Sequence, residues 1–264
     1  TRTAWFECSD PALTQLHDNV VGSMVGNFLD IPTDCPQRDE RLGWSGDIQV
    51  FAPTASTLFD VSAFLGGWLD TLALDQLPDG TVPVTVPRVF PKESAIAGWG
   101  DAAVVVPWVL YQRDGDVGVL RRQYASMVAW VERVRTLAGD ELLWRGGDQL
   151  GDWLDPLAPP NDPAAAQADP DVVATAYFFH SVDLLAVCAD ALGLTEDARH
   201  YATLAARIRK AFSAAYVRDD GRSTSDCQTV YALSLAWEMI GDPSVRSLAG
   251  ARLAELVESQ GFTV

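Results

Sequence analysis

Basic residues are scarce in this sequence. Lysine occurs only at Lys92 and Lys210, and Lys plus Arg total 19 against 36 Asp plus Glu, a formal net charge of −17. Such a chain has no basic excess with which to displace counterions from a phosphate backbone, so nucleic acid is not an expected partner. Cysteine is equally sparse. Cys8, Cys35, Cys188 and Cys227 stand far apart with no CxxC spacing, and His17, His180 and His200 are isolated. Neither a structural zinc site nor any other metal or cofactor is expected, and the thiols read as free and mostly buried. Long apolar runs are missing too. The stretch from Ala102 to Val109 is typical, so no membrane span is expected. The start shows no charged segment followed by an apolar one, hence no signal peptide and a slight preference for the cytoplasm. Residue 1 is Thr rather than Met, which reads as a processed or excised piece.

What remains is helical. Apolar residues make up 48% of the 264 positions, ample for a large core. Ser9, Asp10 and Pro11 form a capped start, and Leu13, Leu16, Val20, Met24 and Phe28 recur at spacings of three and four, with Pro32 and Pro36 as the stop. Two helices are expected between Asp47 and Leu77, broken near Asp60 or Gly66. Further helices are expected at 101–113, 117–138, 171–193, 196–216, 226–241 and 243–260. Asp114-Gly115 and Gly193 serve as stops, and Asp242-Pro243 as a start. The run Thr81-Val82-Pro83-Val84-Thr85-Val86-Pro87 reads as an extended loop or hairpin edge, and 155–170 as a polar, proline-rich loop of the kind that carries function. About nine helices with almost no strand give an all-α class made of helical hairpins, and no break in composition divides residues 1–264 into separate domains.

Asp47, Asp101, Asp152 and Asp226 fall at or just before expected helix starts. Three of them follow glycine, and Trp44, Trp99 and Trp153 lie close by. Aspartate at a helix start is also an ordinary cap, worth about 1 kcal/mol. The repetition with indoles points further. If alternate helices form an inner ring, their N-termini share one end, which then carries carboxylates for sugar hydroxyls and flat rings for the C–H faces of a sugar. The densest segment is Ile31 to Asp47, with Asp34, Asp39, Glu40 and Asp47 beside Arg38 and Arg41, and with Pro32, Pro36, Gly43 and Gly46 shaping a loop. There arginine can lower one carboxyl pKa while burial raises another. A solvated ion-pair loop is the plain alternative.

The run from Thr33 to Asp47, Thr-Asp-Cys-Pro-Gln-Arg-Asp-Glu-Arg-Leu-Gly-Trp-Ser-Gly-Asp, resembles the signature of the bacterial α-L-rhamnosidases of glycoside hydrolase family 78. The resemblance continues through Gln49–Ala55, Ala97–Ala103, Gly151–Leu154 and Asp171–Tyr177, in order, across essentially the whole chain. It implies an (α/α)6 barrel of six helical hairpins. It also implies hydrolysis of terminal α-L-rhamnosides with inversion, which takes two carboxyl groups about 6.5–9.5 Å apart. By position, Glu40 matches the general acid, its pKa expected to be raised by burial and by Asp39, Asp34 or Asp47. Asp34 and Asp47 match positions that hold sugar hydroxyls, with Arg38 orienting them, and Trp44, Trp99 and Trp153 match pocket indoles. Asp101 and Asp152 are further candidates, with an ordinary helix cap beside the site as their plain alternative.

One element of the family pattern is missing. No Ile-Trp-Glu-Arg-Trp type segment, which carries the general base in the family, occurs in the sequence. Glu196, Glu238, Glu255 and Glu258 sit in ordinary helical context. The expectation is therefore an incomplete barrel, about nine of twelve helices, without the last hairpins and the flanking β-domains. Such a piece is expected to be nearly inactive by itself and to associate with further copies through uncovered apolar faces. Rhamnose-containing glycosides are its expected partners. Two other readings stay open: a rhamnose-binding domain without catalysis, and another inverting glycosidase on the same barrel.

Overall fold

The computed structural model describes residues 1–261. Among these residues there are nine helices and no β-strand, only isolated bridges. They are α1 (Pro11–Asn27), α2 (Ser45–Leu58), α3 (Ser62–Asp75), α4 (Ala102–Asp114), α5 (Val117–Ala138), α6 (Pro170–Ala191), α7 (Thr195–Tyr216), α8 (Gln228–Ala236) and α9 (Pro243–Ser259). Helical class and order agree with the sequence patterns, and several ends are the anticipated ones. Asp10 accepts from the Ala12 N–H, with Pro11 in the first turn. Asp242 accepts from Ser244 and Val245. Gly115 closes α4 at φ 69.

Two helix ends differ: the helix expected over 226–241 runs as α8 only from Gln228 to Ala236, and the first helix is shorter than expected. α1 stops at Asn27, well before Pro32, because Thr33 takes the Asn27 carbonyl with both its N–H (3.2 Å) and its hydroxyl (3.0 Å). The break between α2 and α3 falls at Phe59–Val61, at the first of the two expected places, and there Asp60 turns the chain by accepting from the Ser62 N–H and hydroxyl.

The chain forms two compact units. The first comprises residues 1–94 and 98–130, the second residues 95–97 and 131–264. In the first, α2 and α3 pack on α4. Its core includes Leu65, Trp68, Leu69, Leu72, Val104 and Val106, all nearly or fully buried. In the second, α6 packs on α7 and α8, and α8 on α9. Phe178, Leu185, Ile208 and Phe212 fill the α6–α7 contact, while Tyr231, Ile240, Ala249 and Leu256 form the α8–α9 core. α6 alone among the described helices has the length and apolarity to cross a membrane, a feature the search for unbroken apolar runs did not reveal. Most of its apolar stretch is buried inside the protein, as in a core helix.

Candidate active site

In the first unit the loop from Phe28 to Trp44 is held in place at its far end. Ser45 donates from its N–H to Val84 O at 2.9 Å, Val86 donates to Gly43 O at 2.8 Å, and Trp44 pairs with Thr85 in an isolated antiparallel bridge. The extended segment expected near Thr81–Pro87 is thus real, but it serves as a rail for the start of α2 rather than as a hairpin. The Trp68 indole of α3 donates to Val86 O at 3.2 Å and ties that rail to the core. Gly43 is needed here, because a Cβ would lie 2.2 Å from Val86 O.

On this loop Glu40, Arg38, Asp34 and Cys35 form one cluster. The Arg38 guanidinium touches Glu40 Oε2 at 2.7 Å, Cys35 Sγ at 3.1 Å and Asp34 Oδ2 at 3.5 Å. Trp44 Nε1–H donates to Glu40 Oε1 at 2.9 Å, and the Cys35 thiol points at Glu40 Oε2 at 3.8 Å. Asp34 is buried at its side chain, 9% exposed, and its Oδ1 has no protein partner. A buried acceptor left open costs free energy unless something donates to it, and Asp34 Oδ1 is such an acceptor.

The donor atoms of Asp34, Cys35 and Glu40 lie within 4.8 Å of one another, a set of types that could hold a metal ion. Arg38 already contacts all three, so the positive charge of the cluster comes from its guanidinium. Burial, followed by Asp34, pushes the Cys35 thiol up.

Asp47 sits in the first turn of α2 and shares a cavity of about 420 Å3 with Asp34, walled by Met24, Phe28, Ile48 and Phe51. Its outer edge is open to solvent. Desolvation of the remainder raises its pKa first, and the charges of Asp34 and then Glu40 add to the effect. Of the three acids expected around Glu40, Asp34 and Asp47 are near it and Asp39 is not. The contacts of Glu40 are Arg38, Trp44 and Cys35, while Asp39 points fully into water near Arg41.

Trp99 lies against α2: a Cβ on Gly46 would meet its Cε2 at 2.8 Å. Asp101, at the N-cap position of α4, caps nothing with its side chain. It is fully buried and accepts from the Gly98 N–H at 2.8 Å and from the Trp130 indole at 3.0 Å. Its role is to hold the turn that presents Trp99. Asp152 and Trp153 belong to the second unit. Asp152 starts no helix and accepts from the Thr229 hydroxyl, and Trp153 is 42% exposed on the loop before α6. Asp226 is bound by Arg252 and by the Tyr231 hydroxyl, which hold its carboxyl down to about 2.

Sequence reasoning missed Trp130, Phe90 and Glu93. Phe90 leans on Trp44 with ring centroids 5.7 Å apart, and Glu93 takes the Val84 N–H at 3.2 Å. None of these sits in a local motif. Trp130 could have been singled out only as an indole on an otherwise ordinary amphipathic helix.

The family described as the bacterial alpha-L-rhamnosidase 6 hairpin glycosidase domain matches residues 1–264. The chain belongs to this family. It is 44% identical over 257 residues to an alpha-L-rhamnosidase of Streptomyces avermitilis, covering 97% of this chain and 24% of that protein. To one of Formosa agariphila it is 35% identical over 255 residues, covering 96% and 27%. Its fold matches the crystal structure of the native Aspergillus terreus rhamnosidase with a TM-score of 0.96 at 39% identity, covering all of this chain and 31% of that one. The Streptomyces avermitilis enzyme complexed with L-rhamnose matches with a TM-score of 0.90 at 43% identity, covering 99% and 24%. The chain therefore spans about a quarter to a third of the length of these relatives. The fold is the α/α barrel of six-hairpin glycosidases, and the described residues supply nine of the twelve helices that six hairpins contain.

Proposed function

We propose that this chain carries the acid half of an inverting α-L-rhamnosidase. The observation that carries the reading is the cluster in the first unit, where Asp34 and Asp47 face one cavity and Glu40 is joined to Asp34 through Arg38. Glu40 is the general acid: it gives a proton to the glycosidic oxygen as the bond to the anomeric carbon breaks. The open oxygen of Asp34 and the carboxylate of Asp47 take hydroxyls of the sugar, and Arg38 orients them. Met24, Phe28, Ile48 and Phe51 offer an apolar wall suited to the methyl group of a 6-deoxy-sugar. Trp44 and Trp99, both in the first unit, are proposed as indole surfaces for the glycoside.

A second reading keeps the same cluster, with the open Asp34 Oδ1, and has these residues bind rhamnose without turning a rhamnoside over. Two measurements separate the two. Calorimetric titration with L-rhamnose is expected to show binding to the chain and to Glu40→Gln alike. Hydrolysis of an aryl α-L-rhamnoside is expected to be far below that of a full-length relative, and to fall a further 10²–10⁴-fold, roughly, in Glu40→Gln. Anomeric NMR of the product reports inversion. Turnover at a full-length rate overturns the proposed weakness of the chain alone, and absence of rhamnose binding overturns the site. Leu13, Leu16 and Val25 expose apolar surface along α1, and Leu29 just past its end, which supports self-association through that helix. Light scattering that finds a compact monomer overturns that part.

A further inference from the structure

Glu40 has little backbone to hold it. The loop around it is neither helix nor strand, its own N–H turns back onto the Arg38 carbonyl at 2.8 Å, and the next residue, Arg41, stands at φ 52. Arg38 belongs to the same loop and its side chain is 63% exposed. Trp44 is different. It occupies the N-cap position of α2, its backbone is paired to Thr85, the flanking Gly43 and Ser45 are bonded to Val86 and Val84, and its ring leans on Phe90. The 2.9 Å bond from Trp44 Nε1 to Glu40 Oε1 therefore ties a loosely held carboxyl to a rigid element.

We propose that Trp44 is a positioning residue for Glu40, its indole N–H fixing Oε1 and with it the direction in which the carboxyl faces. The inference rests on Glu40 being the general acid. Both carboxyl oxygens accept, Oε1 from the Trp44 indole and Oε2 from the Arg38 guanidinium and the Cys35 thiol. When Glu40 passes its proton to the leaving glycosidic oxygen, the bond to the anomeric carbon breaks as water attacks that carbon, and Glu40 is left anionic. The N–H on Oε1 strengthens as that charge appears, which is the differential stabilisation that speeds a step. A Trp44 that served only as a flat wall for the sugar needs no such bond.

The charged and titratable groups around this carboxyl are Arg38 and Cys35 in contact, Asp34 within 4.8 Å, and Asp47, whose charge Glu40 opposes. The test is NMR of the 264-residue chain. The Trp44 indole ¹H–¹⁵N signal is expected to move with pH at the same midpoint as the Glu40 side-chain carboxyl ¹³C signal, and to lose that movement in Glu40→Gln. Trp44→Phe keeps an aromatic ring but removes the donor, and is expected to free the Glu40 side chain, read as convergence of its two Cγ proton shifts. An indole signal that ignores pH, or one that titrates unchanged in Glu40→Gln, overturns the proposal, including the case in which it responds only to added L-rhamnose. The wild-type titration stands even if Trp44→Phe does not fold. Failure of the underlying reading looks different: residual aryl rhamnoside hydrolysis indifferent to Glu40→Gln, with the indole and carboxyl still titrating together.

Discussion

The Trp99 ring rests on the bare backbone of Gly46, so closely that a methyl group there would stand 2.8 Å from the indole. Gly46→Ala is therefore expected to push the ring off the first turn of α2. Overpacking of this kind costs about 1–3 kcal/mol. Thermal unfolding is expected to show that loss, and calorimetry a weaker affinity for L-rhamnose. Unchanged values for both would mean that Trp99 yields freely and has no fixed place beside Asp47.

Asp101 holds the same turn from beneath. Its carboxylate is fully buried between the Gly98 N–H and the Trp130 indole. Asp101→Ala strands both donors and is expected to destabilise the chain by about 2–4 kcal/mol. Trp130→Phe leaves a buried carboxylate short of one partner and is expected to be similarly harmful. Chemical unfolding of the two single variants and the double variant measures their coupling. Simple additivity would argue against a shared network.

Asp47 presents the opposite case, since its charge is destabilising where it stands. Desolvation and the nearby Asp34 charge raise its pKa, so folding at neutral pH works against its ionisation. Asp47→Asn is expected to raise the melting temperature while weakening L-rhamnose binding. In the unsubstituted chain, binding is expected to decline as pH falls through the raised pKa, where the acceptor is lost. A variant that gains stability with no loss of affinity would remove Asp47 from the sugar site.

In the second unit, His180 stacks on Trp237 with centroids 4.2 Å apart and planes 5° from parallel. Burial lowers its pKa from 6.5 to about 4, with Asp183, Arg209 and Glu238 lining the same small cavity. The folded state thus holds fewer protons on this ring than the unfolded state between those values. Stability is fully present above about pH 6.5 and declines as pH falls towards 4, by about 2–3 kcal/mol. Urea unfolding from pH 7 to 4 is expected to show this slope, flattened in His180→Phe. An equal slope in both would place the pH dependence elsewhere.

Much of the fold was legible because it is written locally. Asp10-Pro11 and Asp242-Pro243 set helix starts through their own side chains, and Gly115 sets a stop through its left-handed backbone. Such signals act over a few residues and need no partner from elsewhere. The motif around Glu40 was legible for a related reason: Asp34, Cys35, Arg38, Glu40 and Trp44 lie within eleven positions, and one shaped loop brings them together. The Gly-Asp pattern was misleading as a capping signal. Asp101 and Asp152 are used by Trp130 and Thr229, both distant in sequence, and a cap and a buried acceptor look the same in a string of letters.

By itself, then, the order of residues determined an all-helical chain, most of the places where helices begin and end, and a loop crowded with acids and two guanidinium groups. Only the tertiary structure decided which acid meets which partner. Glu40 faces Arg38 and Trp44 rather than Asp39. Asp47 shares its cavity with Asp34, and Trp99 lies on Gly46 because Trp130 and Asp101 brace its turn. The physical reason is range. Propensity and capping act between neighbours along the chain, whereas desolvation, charge pairing and ring packing depend on distances through space that folding alone creates.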